Sequence, residues 1–159
     1  MIDAGQIMIK VIDIQDLSEV MEVERLSYSI PWSESVFEDS IKGSNECWLI
    51  EYQGKGCGHA VVSNVLDEVH LLNICIAPKF ANQGLGRVLL QYLISKAIER
   101  KAKMFFLEVR ASNKSAIHLY FSEGFNEVGL RPNYYPSESG KGREDALLMT
   151  LELFVDQYV

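Results

Sequence analysis

The chain has 159 residues, of which 48% are hydrophobic, and this is enough apolar material for one domain with a sizeable core. A net charge of −7 argues against a nucleic-acid-binding protein with a broad basic face, and it is compatible with a basic polypeptide partner. The chain has neither an apolar run of about eighteen residues nor a signal-peptide pattern, so we expect no membrane partner and a cytoplasmic location.

Two helices are predicted near the N-terminus. Asp16 and Glu19 have the spacing of a helix cap, and the apolar residues that follow carry a helix to about Ser27. A proline then interrupts the pattern, because it disfavours helix in the residue before it. Ser33 can cap a second, short helix that ends at about Ile41.

Three strands are predicted next, at Cys47 to Tyr52, Gly58 to Leu66 and Glu68 to Ala77. The link between the first two, Gln53 to Gly56, is rich in turn residues and indicates a hairpin. Pro78 ends the third strand because proline cannot donate a backbone hydrogen bond.

The C-terminal half predicts two helices and three strands. One helix runs from about Leu85 to Arg100, and the other follows Ser112 or Asn113 and ends at Gly124. The strands are apolar runs at Met104 to Val109, Phe125 to Arg131 and Ala146 to Phe154, with an exposed loop from Pro132 to Asp145. The strand from Met104 is nearly continuous in apolar character and is of the kind buried on both faces. The order predicts a single α/β domain over residues 1–159 with a mixed central sheet.

The run Asn82 to Arg87 joins the third predicted strand to the helix after it. Its two glycines leave backbone N–H groups uncovered at the positive end of a helix dipole, and such a turn can hold a phosphate or pyrophosphate. A Walker loop is excluded because Arg87, not lysine, follows Gly86, and a dinucleotide loop is excluded because Leu89 replaces the third glycine. Glycines that serve only the turn are the alternative.

A second set of residues follows downstream, in Leu107 to Asn113, Ala116 to Tyr120 and Gly124-Phe125. Together with the glycine loop, this constellation resembles the GNAT family of acyl-CoA N-acyltransferases. Further segments resemble those members that acetylate the N-terminal alanine of a small-subunit ribosomal protein: Pro31 to Glu34, Leu66 to Glu68, Asn126-Glu127, Asn133 to Pro136 and Gly142 to Ala146. The resemblance implies a GNAT fold, a strand–glycine-loop–helix acetyl-CoA site, and direct acetyl transfer to the N-terminus of a ribosomal protein.

The resemblance assigns acetyl-CoA binding to Ile74, Cys75, Ile76, Asn82, Gln83, Gly84, Leu85, Gly86, Arg87 and Asn113. The strand residues offer their backbone to the pantetheine arm, and the loop holds the pyrophosphate. Asn113 bonds the arm, and it can be a plain helix cap at the same time. One position departs from the family pattern, since Ala81 stands where Gln or Arg is usual. The departure either weakens cofactor affinity or shifts the contact to neighbouring loop residues.

Two residues are implied as catalytic. Glu108 matches the family's general base, which takes a proton from the substrate amine through ordered water. A carboxylate in an apolar strand is costly unless it lines a polar cleft, and the alternative is that Glu108 points outward or pairs with Arg110. Tyr120 matches the general acid that protonates the departing thiolate, and its alternative is a core aromatic residue.

The resemblance also implies a peptide groove. Trp32, Tyr134 and Tyr135 match its aromatic residues, and ordinary anchoring of loops is the alternative for each of them. Glu68 is a second carboxylate near the expected groove, where it can hold the substrate ammonium or share the role of base.

Cysteine and histidine usage predicts no further chemistry. The three cysteines form no close pair, so we expect free thiols in a reducing compartment. Cys75 invites a covalent mechanism, but no histidine with a supporting carboxylate is placed beside it in the sequence, and direct transfer is expected. His59, His70 and His118 are scattered without metal-ligand spacing, so we expect no metal site.

Two other functions are compatible with these residues. A GNAT enzyme that acetylates a small amine or a protein lysine requires a stronger base, because a lysine ammonium has a pKa of about 10.4. A non-catalytic acyl-CoA-binding module keeps the fold without turnover, and Ala81 is the feature that favours it.

Overall fold

The computed structural model describes residues 2–153 as a mixed α/β protein. A seven-stranded sheet has the order β1-β2-β3-β4-β5-β7-β6. The strands are Ile7–Val11 (β1), Glu46–Tyr52 (β2), Lys55–Val65 (β3), Glu68–Ile76 (β4), Met104–Arg110 (β5), Asn126–Pro136 (β6) and Arg143–Glu152 (β7). The helices are Leu17–Ser27 (α1), Glu34–Lys42 (α2), Leu85–Glu99 (α3) and Lys114–Ser122 (α4). The predicted mixed central sheet is confirmed.

Contacts divide the chain into two compact units. The first holds the residues up to Ser63 together with Leu72–Tyr92, and the second holds Asn64–Leu71 and the residues from Leu93 onward. The single domain over residues 1–159 stays a prediction, and its two ends lie outside the described residues, as does Phe154 of the last predicted strand. No helix among residues 2–153 is both long and apolar enough to span a bilayer.

The first unit folds around the sheet face that α1 and α2 cover. One apolar cluster joins Leu17, Val20 and Met21 of α1 to Phe37 of α2, together with apolar residues of β2 and β3. β1 pairs with β2, and β2 pairs with β3, both antiparallel.

The second unit is built on β5. The strand pairs in parallel with β4 from Glu68–Met104 to Leu71–Leu107, and antiparallel with β7 on its other edge. Phe105 packs edge-on against Phe125, with ring centroids 5.6 Å apart. Burial alternates along β5, so the strand has one buried face and one half-buried face. The prediction that both faces are buried is therefore wrong for the half-buried face.

The N-terminal part differs from the sequence analysis by one additional strand and one helix cap. β1 was not predicted, because it is a short strand with no regular alternation of buried and exposed residues. The predicted cap of α1 also differs, since the Asp16 side chain accepts no hydrogen bond from the helix. Instead Asp13 and Asp16 form a capping box one turn earlier, and Glu19 accepts a hydrogen bond from the Gly56 N–H. Ser33 caps α2 as predicted, by accepting from the Val36 N–H.

The segment from Pro132 to Asp145 is mostly exposed, as predicted, but the prediction that all of it is a loop is wrong. β6 continues to Pro136 and β7 begins at Arg143, so the connection between the strands is short. The pairing is irregular between Arg131 and Tyr135, and Asn133 has a φ of 51°. A proline and a residue with a left-handed backbone interrupt the alternating pattern by which a strand is recognised in a sequence. For this reason the sequence analysis ended the strand too early.

Candidate active site

The glycine loop has the local geometry of an anion-binding turn. The chain leaves β4 through a short 3-10 helix, Pro78–Phe80, and then reaches α3 through an exposed turn. Asn82 and Gly84 have φ angles of 59° and 85°, and a Cβ built on Gly84 would meet nothing within 4 Å. The N–H groups of the first turn of a helix lack acceptors within the helix. The loop therefore presents uncovered backbone donors at the positive end of α3.

The other predicted cofactor residues of the loop have distinct surroundings. Gln83 is exposed, whereas Leu85 is buried at 1% exposure and anchors the start of α3. Gly86 and Arg87 are half-buried in the first turn of the helix. Ala81 is exposed and extended, so the position where the family usually carries Gln or Arg faces solvent.

The second half of β4 has two different faces. Asn73 and Cys75 are buried, whereas Ile74 and Ile76 between and beside them are half-buried. The parallel pairing with β5 ends at Leu71, so the register with β5 does not extend to these residues. The Tyr28 hydroxyl, directly after α1, donates a hydrogen bond to the Ile74 carbonyl.

Cys75 lies beside a histidine and a carboxylate that are distant in sequence. Its Sγ is 3.2 Å from His59 Nε2, and the same nitrogen is 3.1 Å from Glu24 Oε1. A nucleophilic triad needs the carboxylate and the thiol on different ring nitrogens, and here both contact Nε2. Burial, reinforced by the Glu24 charge, raises the pKa of Cys75 to about 12. A thiol that keeps its proton is a poor nucleophile, which supports the expectation of direct transfer.

Trp32 is anchored from two sides. Its ring packs at 5.1 Å on Phe37, and its backbone N–H donates to Glu24 Oε2 at 3.3 Å. The side chain is half-buried, so part of the indole stays accessible. Both the anchoring role and the peptide-binding role that the sequence left open are compatible with this position.

Glu108 is partly exposed and ion-paired. The side chain of Glu108 is 29% exposed, and its Oε1 lies 3.3 Å from an Arg131 guanidinium nitrogen. Arg110, the partner that the sequence suggested as an alternative, instead stacks on Tyr135 at 4.5 Å and bonds the Pro136 carbonyl.

Tyr120 is buried at 5% exposure on α4. Its ring lies 5.8 Å from that of Phe125. Burial raises the pKa of its hydroxyl above the ordinary value of 10, and Tyr135 adds to the shift. No hydrogen bond within residues 2–153 engages the phenol group, so the proton is available to a bound reactant.

Tyr135 interacts electrostatically with both predicted catalytic residues, Glu108 and Tyr120. Burial raises its pKa to about 12, and the Glu108 charge is the next cause. Tyr135 therefore lies within electrostatic range of both Glu108 and Tyr120. Tyr134 is 41% exposed and packs edge-on against it, with ring centroids 4.9 Å apart.

Side chains of β7 fix the backbone of this aromatic pair. Arg143 donates to the carbonyls of Asn133 at 2.9 Å and Tyr134 at 2.6 Å. Asp145 accepts from the Asn133 N–H at 2.9 Å. No pattern in the sequence predicts these contacts, apart from the general resemblance of the segment to the family.

Asn113 and Glu68 complete the set of predicted site residues. Asn113 caps α4 by accepting from the Ala116 N–H at 3.3 Å. Glu68 is 43% exposed and lies 3.0 Å from His70 Nε2, whose ring stacks on Phe106. Glu108, Tyr120, Tyr135, Asn113 and Glu68 all belong to the second unit, whereas the glycine loop, Ile74 to Ile76 and Trp32 belong to the first.

Comparisons with known proteins agree on one family. The profile of the acetyltransferase (GNAT) family matches residues 17–125. The chain is 40% identical over 142 residues to the [ribosomal protein bS18]-alanine N-acetyltransferase of Escherichia coli K12, covering 89% of this chain and 95% of that one. The crystal structure of the Escherichia coli ribosomal-protein-S18-alanine N-acetyltransferase superposes with a TM-score of 0.89 at 38% identity, over 96% and 98% of the chains.

A third comparison bears on the cofactor. A GNAT family acetyltransferase from Elizabethkingia anophelis, solved with acetyl-CoA bound, superposes with a TM-score of 0.76 at 26% identity. The match covers 93% of this chain and 99% of that chain.

Proposed function

The chain belongs to the acetyltransferase (GNAT) family, and we propose that it transfers the acetyl group of acetyl-CoA to the N-terminal alanine of ribosomal protein bS18, as an enzyme of the RimI type. The observation that carries this proposal is the 40% identity to the Escherichia coli enzyme over 95% of that enzyme's length. Identity at this level over nearly the whole chain supports a shared substrate as well as a shared fold.

Acetyl-CoA is held by backbone groups of the first unit. The uncovered N–H groups at the start of α3 bind the pyrophosphate, as a helix N-terminus binds any phosphate. The edge of β4 around Ile74 to Ile76 offers N–H and C=O groups to the amides of the pantetheine arm. Binding of this kind depends little on side chains, so an exposed alanine at position 81 is tolerated.

The amine must lose a proton before it attacks. An α-amino group has a pKa of about 8, so it is mostly an ammonium at neutral pH and needs only a modest base. Glu108 is partly exposed, so its carboxylate reaches water that can relay the proton. The neighbouring Arg131 fixes the orientation of the carboxylate.

Tyr120 protonates the leaving group. The amine nitrogen bonds to the thioester carbon as the C–S bond breaks, and the departing thiolate takes the phenol proton. The proton that the new amide nitrogen sheds then returns the tyrosinate to the phenol. Tyr120 is protonated at neutral pH, and burial raises its pKa further above the ordinary value of 10. Burial in apolar surroundings also disfavours the charged CoA thiolate. The pKa of the thiol therefore rises together with that of Tyr120, and the thiolate remains able to take the phenol proton.

The test is acetylation of a hexapeptide with the N-terminal sequence of bS18. We expect CoA release with acetyl-CoA and the free peptide, and none with the same peptide blocked at its α-amino group. A third peptide, with a blocked N-terminus and one lysine, tests the alternative that the enzyme acetylates lysine. In that case the acetylation rate of this peptide should rise steeply above pH 9. Calorimetric binding of acetyl-CoA without any product would identify a non-catalytic module and overturn the proposal.

A further inference from the structure

A buried cluster of three different ligand-bearing residues lies inside the first unit. Glu24 of α1, His59 of β3 and Cys75 of β4 are 0%, 0% and 9% exposed. One ligand atom from each of them lies within 4.8 Å of the other two. The closest approaches, 3.1 Å from Nε2 to Oε1 and 3.2 Å from Nε2 to Sγ, converge on one nitrogen of His59.

The cluster leaves a negative charge in the interior. Within residues 2–153, Glu24 forms no ion pair with a lysine or arginine, and its polar partners are His59, the Asn73 amide and the Trp32 N–H. A fully buried carboxylate is costly unless a positive charge balances it. A divalent cation bound by the cluster supplies positive charge at this place.

A residue that contacts the cluster carries an unpartnered amide oxygen. Asn73 is 8% exposed, and its Nδ2 contacts both Glu24 oxygens at 3.0 and 3.1 Å. Its Oδ1 is buried and has no hydrogen-bond partner among the described residues. A half-turn of the amide exchanges the two atoms and brings this oxygen to the position against the Glu24 carboxylate.

We propose that Glu24, His59 and Cys75 bind a structural zinc ion, with the Asn73 Oδ1 in the fourth position. A sulfur, an imidazole nitrogen and a carboxylate oxygen are all ordinary zinc ligands. Typical zinc–ligand lengths place the sulfur and the nitrogen roughly 3.5 Å apart in a tetrahedron, so the present separation needs to widen by only a few tenths of an ångström. His59 binds through Nε2 and keeps its proton on Nδ1.

Charge and proton balance favour the bound state. The cation displaces the proton of the Cys75 thiol, so a thiolate and a carboxylate together neutralise its two positive charges. No net charge is then left in the interior. Four protein ligands leave no open position, which characterises a structural site that joins α1, β3 and β4 rather than a catalytic one.

The test is metal uptake during refolding of the full chain. The protein is unfolded with a chelator and a reducing agent, desalted, and refolded with Zn²⁺ or with Co²⁺ as a spectroscopic probe. We expect bound zinc that survives dialysis, a higher Tm with zinc than without it, and a near-ultraviolet thiolate-to-cobalt band.

Matched variants locate the site. Cys75→Ser should lose the cobalt band and weaken zinc affinity by more than about tenfold, whereas Cys57→Ser removes another buried thiol of the same unit and should retain both. His59→Gln provides the same comparison if Cys75→Ser fails to refold. Absence of a thiolate band in the parent chain, or zinc content that is equal in the parent and the Cys75→Ser variant, would overturn the proposal.

Discussion

At the scale of single residues, the two proposed proton-transfer groups have opposite surroundings. Glu108 is reached by solvent and held by Arg131, whereas Tyr120 is enclosed by apolar groups. A base that exchanges protons with water benefits from exposure, and an acid that must stay protonated benefits from burial. The division of roles between them follows from these environments.

Replacement of Tyr120 by phenylalanine tests the general acid. We expect kcat to fall by about a hundredfold or more, with acetyl-CoA binding nearly unchanged, because only the transferable proton is removed. Steady-state kinetics and calorimetry measure the two effects. Tyr52→Phe is the control, since its hydroxyl accepts one hydrogen bond, from the exposed Asp3 N–H. Loss of acetyl-CoA binding in Tyr120→Phe would show that Tyr120 is structural.

The sequence identified Glu108 but not its partner. Register explains the failure: Glu108 pairs with Leu148, and Leu148 pairs with Gly129, two residues from Arg131 on the same face of β6. The proximity of Glu108 and Arg131 depends on a bulge between Glu127 and Gly129, which no sequence pattern predicts. Arg110, close in sequence, was therefore the wrong candidate.

At the scale of elements, the C-terminal end of β6 is held in position by side chains of the neighbouring strand β7. Its pairing with β7 is irregular, so side chains of β7 replace the missing ladder bonds. Arg143 contributes two of them, to the carbonyls of Asn133 and Tyr134. The Arg143 guanidinium is thus one of the groups that hold the backbone of the aromatic pair in place.

Removal of the Arg143 guanidinium should weaken binding of the peptide substrate and leave binding of acetyl-CoA unchanged. We expect Arg143→Ala to raise KM for the peptide roughly three- to tenfold while KM for acetyl-CoA is unchanged, because two charge-assisted hydrogen bonds are removed. Lys141→Ala removes an exposed cation from the same connection and should behave like the parent. An unchanged peptide KM in Arg143→Ala would remove Tyr134 and Tyr135 from the proposed groove.

Asn113 has two proposed roles, as the cap of α4 and as a partner of the pantetheine arm, and two variants can separate them. Asn113→Ala should lower the free energy of unfolding by about 1 kcal/mol, since the Ala116 N–H loses its acceptor. Asn113→Ser keeps a capping oxygen and should restore most of that stability. If Asn113 also bonds the pantetheine arm, both variants raise KM for acetyl-CoA. A serine variant with the parental KM would mean that Asn113 is a plain cap.

At the scale of the whole molecule, several buried acids keep their protons longer than they would in the unfolded chain. Burial raises the pKa of Cys47 and Cys57 from 9.0 to about 11 each. Between these values the unfolded chain has released protons that the native state retains, so stability is full below pH 9 and falls as the pH rises.

Urea unfolding at pH 8 and pH 10.5 measures that loss. We expect the free energy of unfolding to be lower at pH 10.5, and the difference to shrink in a Cys47→Ala, Cys57→Ala double variant. The alanines remove the two thiols whose ionisation favours the unfolded chain. A double variant with the same pH dependence as the parent would assign the effect to other groups.

The fold was more predictable than the contacts within it. Periodicity identified every α-helix of residues 2–153, because each carries apolar residues at helical spacing. Capping partners such as Asp13 and long-range partners such as His59 depend on tertiary position, and sequence spacing holds no information about them. The expectation that Cys75 lacks a histidine and a carboxylate beside it rested on spacing alone, and in the structure both are present.

The Glu24 carboxylate has a consequence for how this protein can diverge. Three other groups rely on it, the Trp32 N–H, the Asn73 amide and the His59 ring, so a single substitution leaves buried polar atoms unsatisfied. Effects at contacting positions are not additive. Substitution of Glu24 should therefore be tolerated only together with changes at the positions that contact it. The most buried acid of α1 thus restricts the order in which its neighbours can be replaced.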